Sequence, residues 1–400
     1  VRAGVSSRPS SGGGASFTRW AREVGAAWAV YDTVASIVAG GPIDDRTAHA
    51  AMNAVPATWS HVLALEGCAA WLDRERRRRP ELEAVTAPAA ALLREAAVRS
   101  LRNGVAAAQQ LGEILAIAAE LGVRVLALKG IARLIAGEPA GLRTMADIDL
   151  LVDGPAASGL HERLQLGLGY EADPRGTPAR HLPSLARAGS LPVEIHLRVG
   201  DRARPHGLEM WDDARRANIG GYEIHVPSPT MRLLHTIEHA ILVHRAARYK
   251  LRDLLDVATA APGSDVNAVA RYIESHRSHA DRRAIRTLLA AASDLPSTDG
   301  CPTPALARPD GAVQRRAWRR VRRVARTRLL APARADVIPE SDPRVLVLSQ
   351  IAQGSPVVVG GLIARAVTAP IRAARLVTGS WLPAEARTPA RPPADGGLGE

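Results

Sequence analysis

The sequence predicts an α+β fold in which a small mixed sheet with its helices is flanked by N-terminal and C-terminal helical regions. Three observations carry this. Apolar residues recur at helical spacing through residues 17–121. Between 122 and 228 the pattern changes to short Val- and Leu-rich runs punctuated by turn residues. From Pro229 the helical spacing returns. An α/β module of roughly 110 residues therefore sits between two helical regions.

Taken in order, residues 1–15 are polar and Gly/Ser-rich and are expected to be disordered. They lack the apolar stretch of a signal peptide. In the helical region 16–121, Trp20, Val24, Ala27, Val30 and Tyr31 share a helix face, and Asp44-Asp45 before an Ala-rich run marks a helix start. Glu81–Leu121 reads as one or two long helices. Within 122–228, Val123–Leu128 fits a buried strand and Ile131–Ala136 a helix. Asp147–Val152 is a strand closed by Asp153-Gly154-Pro155, and Ala156–Leu168 is a helix. His181–Arg187 and Leu191–Val199 form a hairpin around Ala188-Gly189-Ser190, and Tyr222–Val226 is a further strand. Residues 229–300 are helical, beginning with Pro229–His244 and Leu251–Ala261. A basic helical region spans 301–379, and 380–400 is a disordered tail.

The 400 residues suggest two or three domains, and 46% hydrophobic content supplies a core. Two cysteines, Cys68 and Cys301, exclude a disulfide framework and a four-thiolate zinc site, and fit a reducing cytoplasm. The net charge is +12, but residues 301–400 hold 16 Arg against 7 acidic residues. The basicity belongs to the tail and says little about the body's chemistry. Only Lys129 and Lys250 are lysines, against 50 arginines. In so Arg-biased a chain each Lys is informative.

The segment Leu142-Arg143-Thr144-Met145-Ala146-Asp147-Ile148-Asp149-Leu150-Leu151-Val152 carries the most chemistry. Strand side chains alternate, so Asp147 and Asp149 share one face and Ile148 and Leu150 the other. Two neighbouring carboxylates repel, and a divalent cation removes the conflict. A solvated edge-strand face is the alternative for the pair. A third carboxylate, Glu194, lies in Val193-Glu194-Ile195-His196-Leu197, sharing a face with His196. Three carboxylates on neighbouring strands can hold two Mg²⁺ ions for in-line phosphoryl or nucleotidyl transfer.

Leu128-Lys129-Gly130, Leu142-Arg143, Asp147-Ile148-Asp149-Leu150-Leu151-Val152 and Val193-Glu194-Ile195-His196 together resemble the uncharacterised nucleotidyltransferases of the polymerase-β-like superfamily. Val226-Pro227-Ser228-Pro229, the His235/His239 helix and Leu251–Val257 with Asp256 extend the resemblance over about residues 108–260. It implies that 122–228 is a nucleotidyltransferase catalytic core that binds a nucleoside triphosphate with Mg²⁺ or Mn²⁺. It makes Asp147, Asp149 and Glu194 the catalytic and metal-binding carboxylates. Many superfamily members carry Gly-Ser at a helix start where this chain has Lys129-Gly130. Lys129, Gly130 and Arg143 become the nucleotide-binding residues, and His196, His235, His239 and Asp256 line the accessory cleft. A helix N-terminus at Gly130 favours anions. The acceptor is left open among small molecules, peptides and RNA. The Lys-Gly departure also allows a catalytically degenerate, nucleotide-binding accessory protein.

Two further motifs compete. His235-Thr236-Ile237-Glu238-His239 spells H-x-x-E-H, the inverted-zincin pattern of a zinc metallopeptidase. The alternative is a His pair packing the helix against the sheet. Arg315–Arg328 has eight Arg in fourteen residues, with Val313, Ala317, Val321 and Val324 on one face. The helix at 313–328 is a candidate contact for RNA or an anionic surface, or a solvated face. Val345–Ala364 is uncharged, but Ser349, Gln350, Gln353, Gly354, Ser355 and Pro356 interrupt it. No integral membrane span is expected.

Overall fold

A computed structural model of the chain describes residues 12–173, 180–200, 210, 211, 213–243, 248–293, 295 and 310–330. The stretch 345–364 and the tail 380–400 lie outside them. The helices α1 (Gly12–Val38), α2 (Asp45–Met52), α3 (Pro56–Glu66), α4 (Ala69–Arg78), α5 (Glu83–Thr86) and α6 (Ala90–Glu120) come first. The first helix begins inside the segment 1–15 expected to be disordered. Asp44 caps α2, its carboxylate accepting from the Thr47 amide at 2.9 Å.

The sheet region follows as β1 (Val125–Ala127), α7 (Lys129–Ile135), β2 (Ile148–Val152), α8 (Gly154–Leu168), β3 (Glu171–Ala172), β4 (Leu185–Ala186), β5 (Val193–His196), β6 (Arg215–Ile219) and β7 (Tyr222–Val226). Then come α9 (Pro229–Glu238), a π-helical turn at His239–Val243, α10 (Leu251–Ala260), α11 (Val266–His276), α12 (His279–Ala292) and α13 (Gly311–Leu330).

The seven strands form one mixed sheet in the order β3-β4-β5-β2-β1-β7-β6. β2 runs parallel to β5 and antiparallel to β1, and β1 is parallel to β7. One face packs on α6 and α8. Ile148, Leu150, Val193 and Ile195 meet Leu111, Ile114, Leu115, Leu160 and Leu164 there. Buried Gln110 ties α6 to the sheet, donating to Tyr170 Oη at 2.8 Å and to the Leu191 carbonyl at 2.7 Å. The opposite face has a small apolar cluster of Leu126, Leu128, Leu151, Val199 and Met210. The alternation read from β2 therefore holds: Ile148 and Leu150 go to the helices, Asp149 and Leu151 to the other side.

Two strands escaped the sequence reading. β3 has two residues, too few for a pattern. β6 is the exposed edge strand Arg215-Arg216-Ala217-Asn218-Ile219, whose polar face masks it; the Gly220-Gly221 turn to β7 was the available signal. The expected hairpin strands are shorter than read, at 185–186 and 193–196, because His181 keeps only an isolated bridge to His196.

A second core is helical. Residues of α1, α3, α4, α9, α10, α12 and α13 share one apolar cluster. The basic helix α13 joins it through Ala317, Trp318, Val321, Ala325 and Leu329. Arg326 pairs with Asp32 of α1, and Arg328 with buried Glu66 of α3. Its apolar face is thus used inside the molecule, while Arg315, Arg316, Arg319 and Arg323 point to solvent. No helix among the described residues is long and apolar enough to cross a membrane.

Candidate active site

The parallel register of β2 and β5 sets Asp149 directly opposite Glu194. Paired residues on adjacent strands project from the same face, so both carboxylates and His196 leave the sheet on the side away from α6 and α8. His196 Nε2 lies 2.8 Å from Asp149 Oδ1 and 3.5 Å from Glu194 Oε2. Lys129, directly after β1, donates from Nζ to Asp149 Oδ1 at 2.5 Å and lies 4.0 Å from Glu194 Oε2. Lys129 holds φ at +44°, a left-handed backbone that glycine adopts freely. Such a residue costs about 1–3 kcal/mol and persists only where its surroundings fix it. The scarce lysine is therefore placed against the backbone's preference, with its amine between two carboxylates.

These charges set each other's protonation. Burial works to raise the Asp149 carboxyl, but the His196 hydrogen bond and the Lys129 charge outweigh it and hold the group well below the usual carboxylate range. The His196 hydrogen bond also lowers Glu194. Burial opposes charge on His196, yet its bonds to Asp149 and Glu194 raise it above the ordinary histidine value. Asp147 lies one residue before β2. Its carboxyl is raised by burial and by the Asp149 charge, partly offset by Lys129.

The ligand atoms of Asp149, Glu194 and His196 lie within 4.8 Å of one another. Two carboxylate oxygens and an imidazole nitrogen form a donor set that could hold a metal ion. Of the three carboxylates expected to hold metal, two belong to this group. His196, expected only to line a cleft, is the third member. Asp147 stands outside it.

Next to Lys129 opens a cleft between α7, α9 and α10. Lys129, Arg133, Arg143, Arg232 and Arg252 give its wall five basic side chains. Asp256 on α10 orders two of them: it accepts from Arg143 Nε at 3.1 Å and from Arg133 Nη1. Burial would raise the Asp256 carboxyl, but the guanidinium groups of Arg133 and Arg143 hold it below its ordinary value. Gly130 explains how Arg143 gets so close. A Cβ on Gly130 would stand 2.6 Å from Arg143 Nη1 and 3.0 Å from Met145 Cγ.

Arg133, Arg232 and Arg252 were missed in the sequence, where 50 arginines make any one of them uninformative. Spacing was the available signal. Arg133 follows Lys129 by one turn on α7, and Arg232 shares a face of α9 with His235.

His235 and His239 border this cleft, their ring centroids 6.1 Å apart. Glu238 points elsewhere: it is buried and accepts from Arg277 Nε at 2.7 Å. The glutamate that a metallopeptidase would use as base is thus neutralised by a guanidinium. Among the described residues, no third ligand forms a metal-competent group with the two histidines.

A mixed sheet with paired carboxylates at the ends of adjacent parallel strands, beside a basic cleft, belongs to the nucleotidyltransferase class. The chain belongs to the uncharacterised nucleotidyltransferase family, whose model matches residues 70–290, more than half of its length. The solution structure of the antibiotic-resistance factor ANT(2'')-Ia is 18% identical, covering 46% of this chain and 93% of that one, with a TM-score of 0.32. The crystal structure of ANT(2'')-Ia in complex with adenylyl-2''-tobramycin is 16% identical, covering 45% and 97%, with a TM-score of 0.33. An antigenic nucleotidyltransferase-like protein from Paracoccidioides brasiliensis is 16% identical, covering 45% and 92%, with a TM-score of 0.29. No curated protein matches the chain.

Proposed function

We propose that this protein transfers a nucleoside monophosphate from a nucleoside triphosphate to an acceptor, with Mg²⁺ or Mn²⁺ as cofactor. The observation that carries the reading is the Asp149–Glu194 register, with Lys129 and His196 between the carboxylates and a basic cleft alongside. Asp149, Glu194 and His196, with Asp147 at their edge, are the residues that would hold the cation. A divalent ion bound there supplies charge neutralisation for the triphosphate.

The chain's own groups do the rest. Lys129, Arg143, Arg133, Arg232 and Arg252 receive the phosphates, with the amides at the start of α7 as further donors. Asp256 keeps Arg133 and Arg143 aimed. An acceptor oxygen forms a bond to the α-phosphorus, the bond from that phosphorus to the α,β-bridging oxygen breaks, and pyrophosphate leaves. The proton of an acceptor hydroxyl passes to Glu194, whose carboxylate is partly exposed and ionised. Positioning and electrostatics provide most of the acceleration in such displacements.

The test is calorimetric titration with Mg²⁺ and each nucleoside triphosphate, for the wild type and for Asp147→Ala/Asp149→Ala. Binding should depend on the metal and be lost in the double variant; unchanged binding and turnover would sink the assignment. One observation favours a second reading, a catalytically degenerate nucleotide-binding protein: Lys129 already neutralises Asp149. That reading expects nucleotide binding with no pyrophosphate released in the presence of any acceptor.

A further inference from the structure

A second, narrow cleft meets the first at Lys129, His235 and His239 and runs past the end of β5. Its wall carries His196, Arg180 and Arg198. Arg180 Nε is buried and has no hydrogen-bond partner among the described residues. Neither guanidinium forms an ion pair with a carboxylate of the described residues. The one carboxylate among the cleft's lining residues is Glu238, and Arg277 neutralises it.

The two clefts divide the work by position. The first lies over the start of α7 and has the larger set of cations, which suits a triphosphate. The second lies on the β5 side, where Glu194 would take the acceptor's proton. A buried guanidinium nitrogen without a partner is costly, and an oxyanion is the group that satisfies it.

We infer that the acceptor is a small anionic molecule, an alcohol bearing a phosphate or carboxylate that Arg180 and Arg198 grip while its hydroxyl is turned past His196 towards Glu194. The inference rests on the transfer reading above. A polycationic acceptor such as tobramycin would meet two uncompensated guanidinium groups and is disfavoured.

The experiment uses the full chain saturated with Mg²⁺ and a non-hydrolysable α,β-methylene nucleoside triphosphate. Ribose 5-phosphate, gluconate, ribose and tobramycin are then titrated separately, the first two distinguishing a phosphate from a carboxylate. Binding of either anion, with ribose and tobramycin much weaker, is expected. Arg180→Ala/Arg198→Ala should weaken the anion by about tenfold or more and shift nucleotide affinity by less than about twofold. Failure of both anions to bind, tobramycin binding as tightly as the better anion, or equal anion affinity in the double variant would each overturn the inference. Absence of metal-dependent nucleotide binding in the saturating step would instead remove the transfer reading itself.

Discussion

Two groups of buried carboxylates in this molecule use the same residue types and differ in stoichiometry. At the ends of β2 and β5, Asp149 and Glu194 share Lys129 and His196, and Asp147 adds a further negative charge nearby. Glu194 keeps 24% of its side chain exposed. On α9, Glu238 pairs with Arg277, with 3% and 2% exposed. The closed pair matches one carboxylate with one guanidinium and buries both. The open group carries more carboxylates than lysines, and its Lys129 and His196 border the two clefts. A motif in the sequence does not distinguish the two, because the partner cation comes from elsewhere in the chain: Arg277 is 39 residues from Glu238.

The comparison is broken most directly by Asp149→Asn, which keeps the shape and removes the charge. Transfer should fall about a thousandfold or more, equivalent to about 4 kcal/mol of barrier, in a pyrophosphate-release assay. The melting temperature should move by only a few degrees. If activity persists, the open group is not the catalytic one.

The closed pair predicts the converse. Arg277→Met leaves Glu238 buried without its cation, and unfolding free energy measured in urea should drop by about 3 kcal/mol. Metal-dependent nucleotide affinity in the protein that remains folded should be unchanged. Metal analysis adds a second check: zinc bound by the wild type and lost in His235→Ala/His239→Ala would show that the His235/Glu238/His239 motif is open after all.

What could be read in advance follows the same division. The β2 pattern was legible because a period of two with apolar residues on one face has few other meanings, and β7 was read to the residue. Asp149 and Glu194 stood out because carboxylates in otherwise apolar strands are unusual, and the structure sets these two opposite each other in register. The partners were not. Nothing local to Asp149 says that His196, 47 residues on, will close on it. Nothing around Arg315–Arg328 says that α13 will bury Trp318 and Val321 against the helical core rather than present them to an anionic partner. Arginine bias hid Arg133, Arg232 and Arg252, and the same bias made Lys129 conspicuous.

A third kind of carboxylate sharpens the contrast. Asp253 on α10 is buried, lines the first cleft and forms no ion pair among the described residues; its oxygen accepts only the Lys250 amide, at 3.2 Å. Burial pushes its carboxyl up to about 7. The folded protein therefore holds a proton between about pH 4 and 7 that the unfolded chain gives up. Stability from this group is full below about pH 4, is lost as the pH rises through 7, and is level above that. The loss is on the order of 4 kcal/mol. Urea denaturation of wild type and Asp253→Asn across that range checks it: the variant should lack this part of the slope. Parallel slopes would mean that Asp253 has a counter-charge after all.

The smallest expected effect on folding isolates the phosphate side of the open group. In Gly130→Ala the new methyl would collide first with Arg143 Nη1, at 2.6 Å, and then with Met145. The guanidinium is the tip of a flexible side chain and gives way more easily than α7 does. Alanine also favours the helix by up to about 1 kcal/mol over glycine, which offsets part of the crowding. Net stability should change by less than about 1 kcal/mol. Arg143, displaced from Asp256, should bind the triphosphate more weakly by several fold, as one charge-assisted contact is lost or bent. A thermal melt and a nucleotide titration on the same variant separate the two effects. Stability lost with affinity intact would make Gly130 a packing residue alone, and would move the phosphate grip to Lys129 and the arginines of α9 and α10.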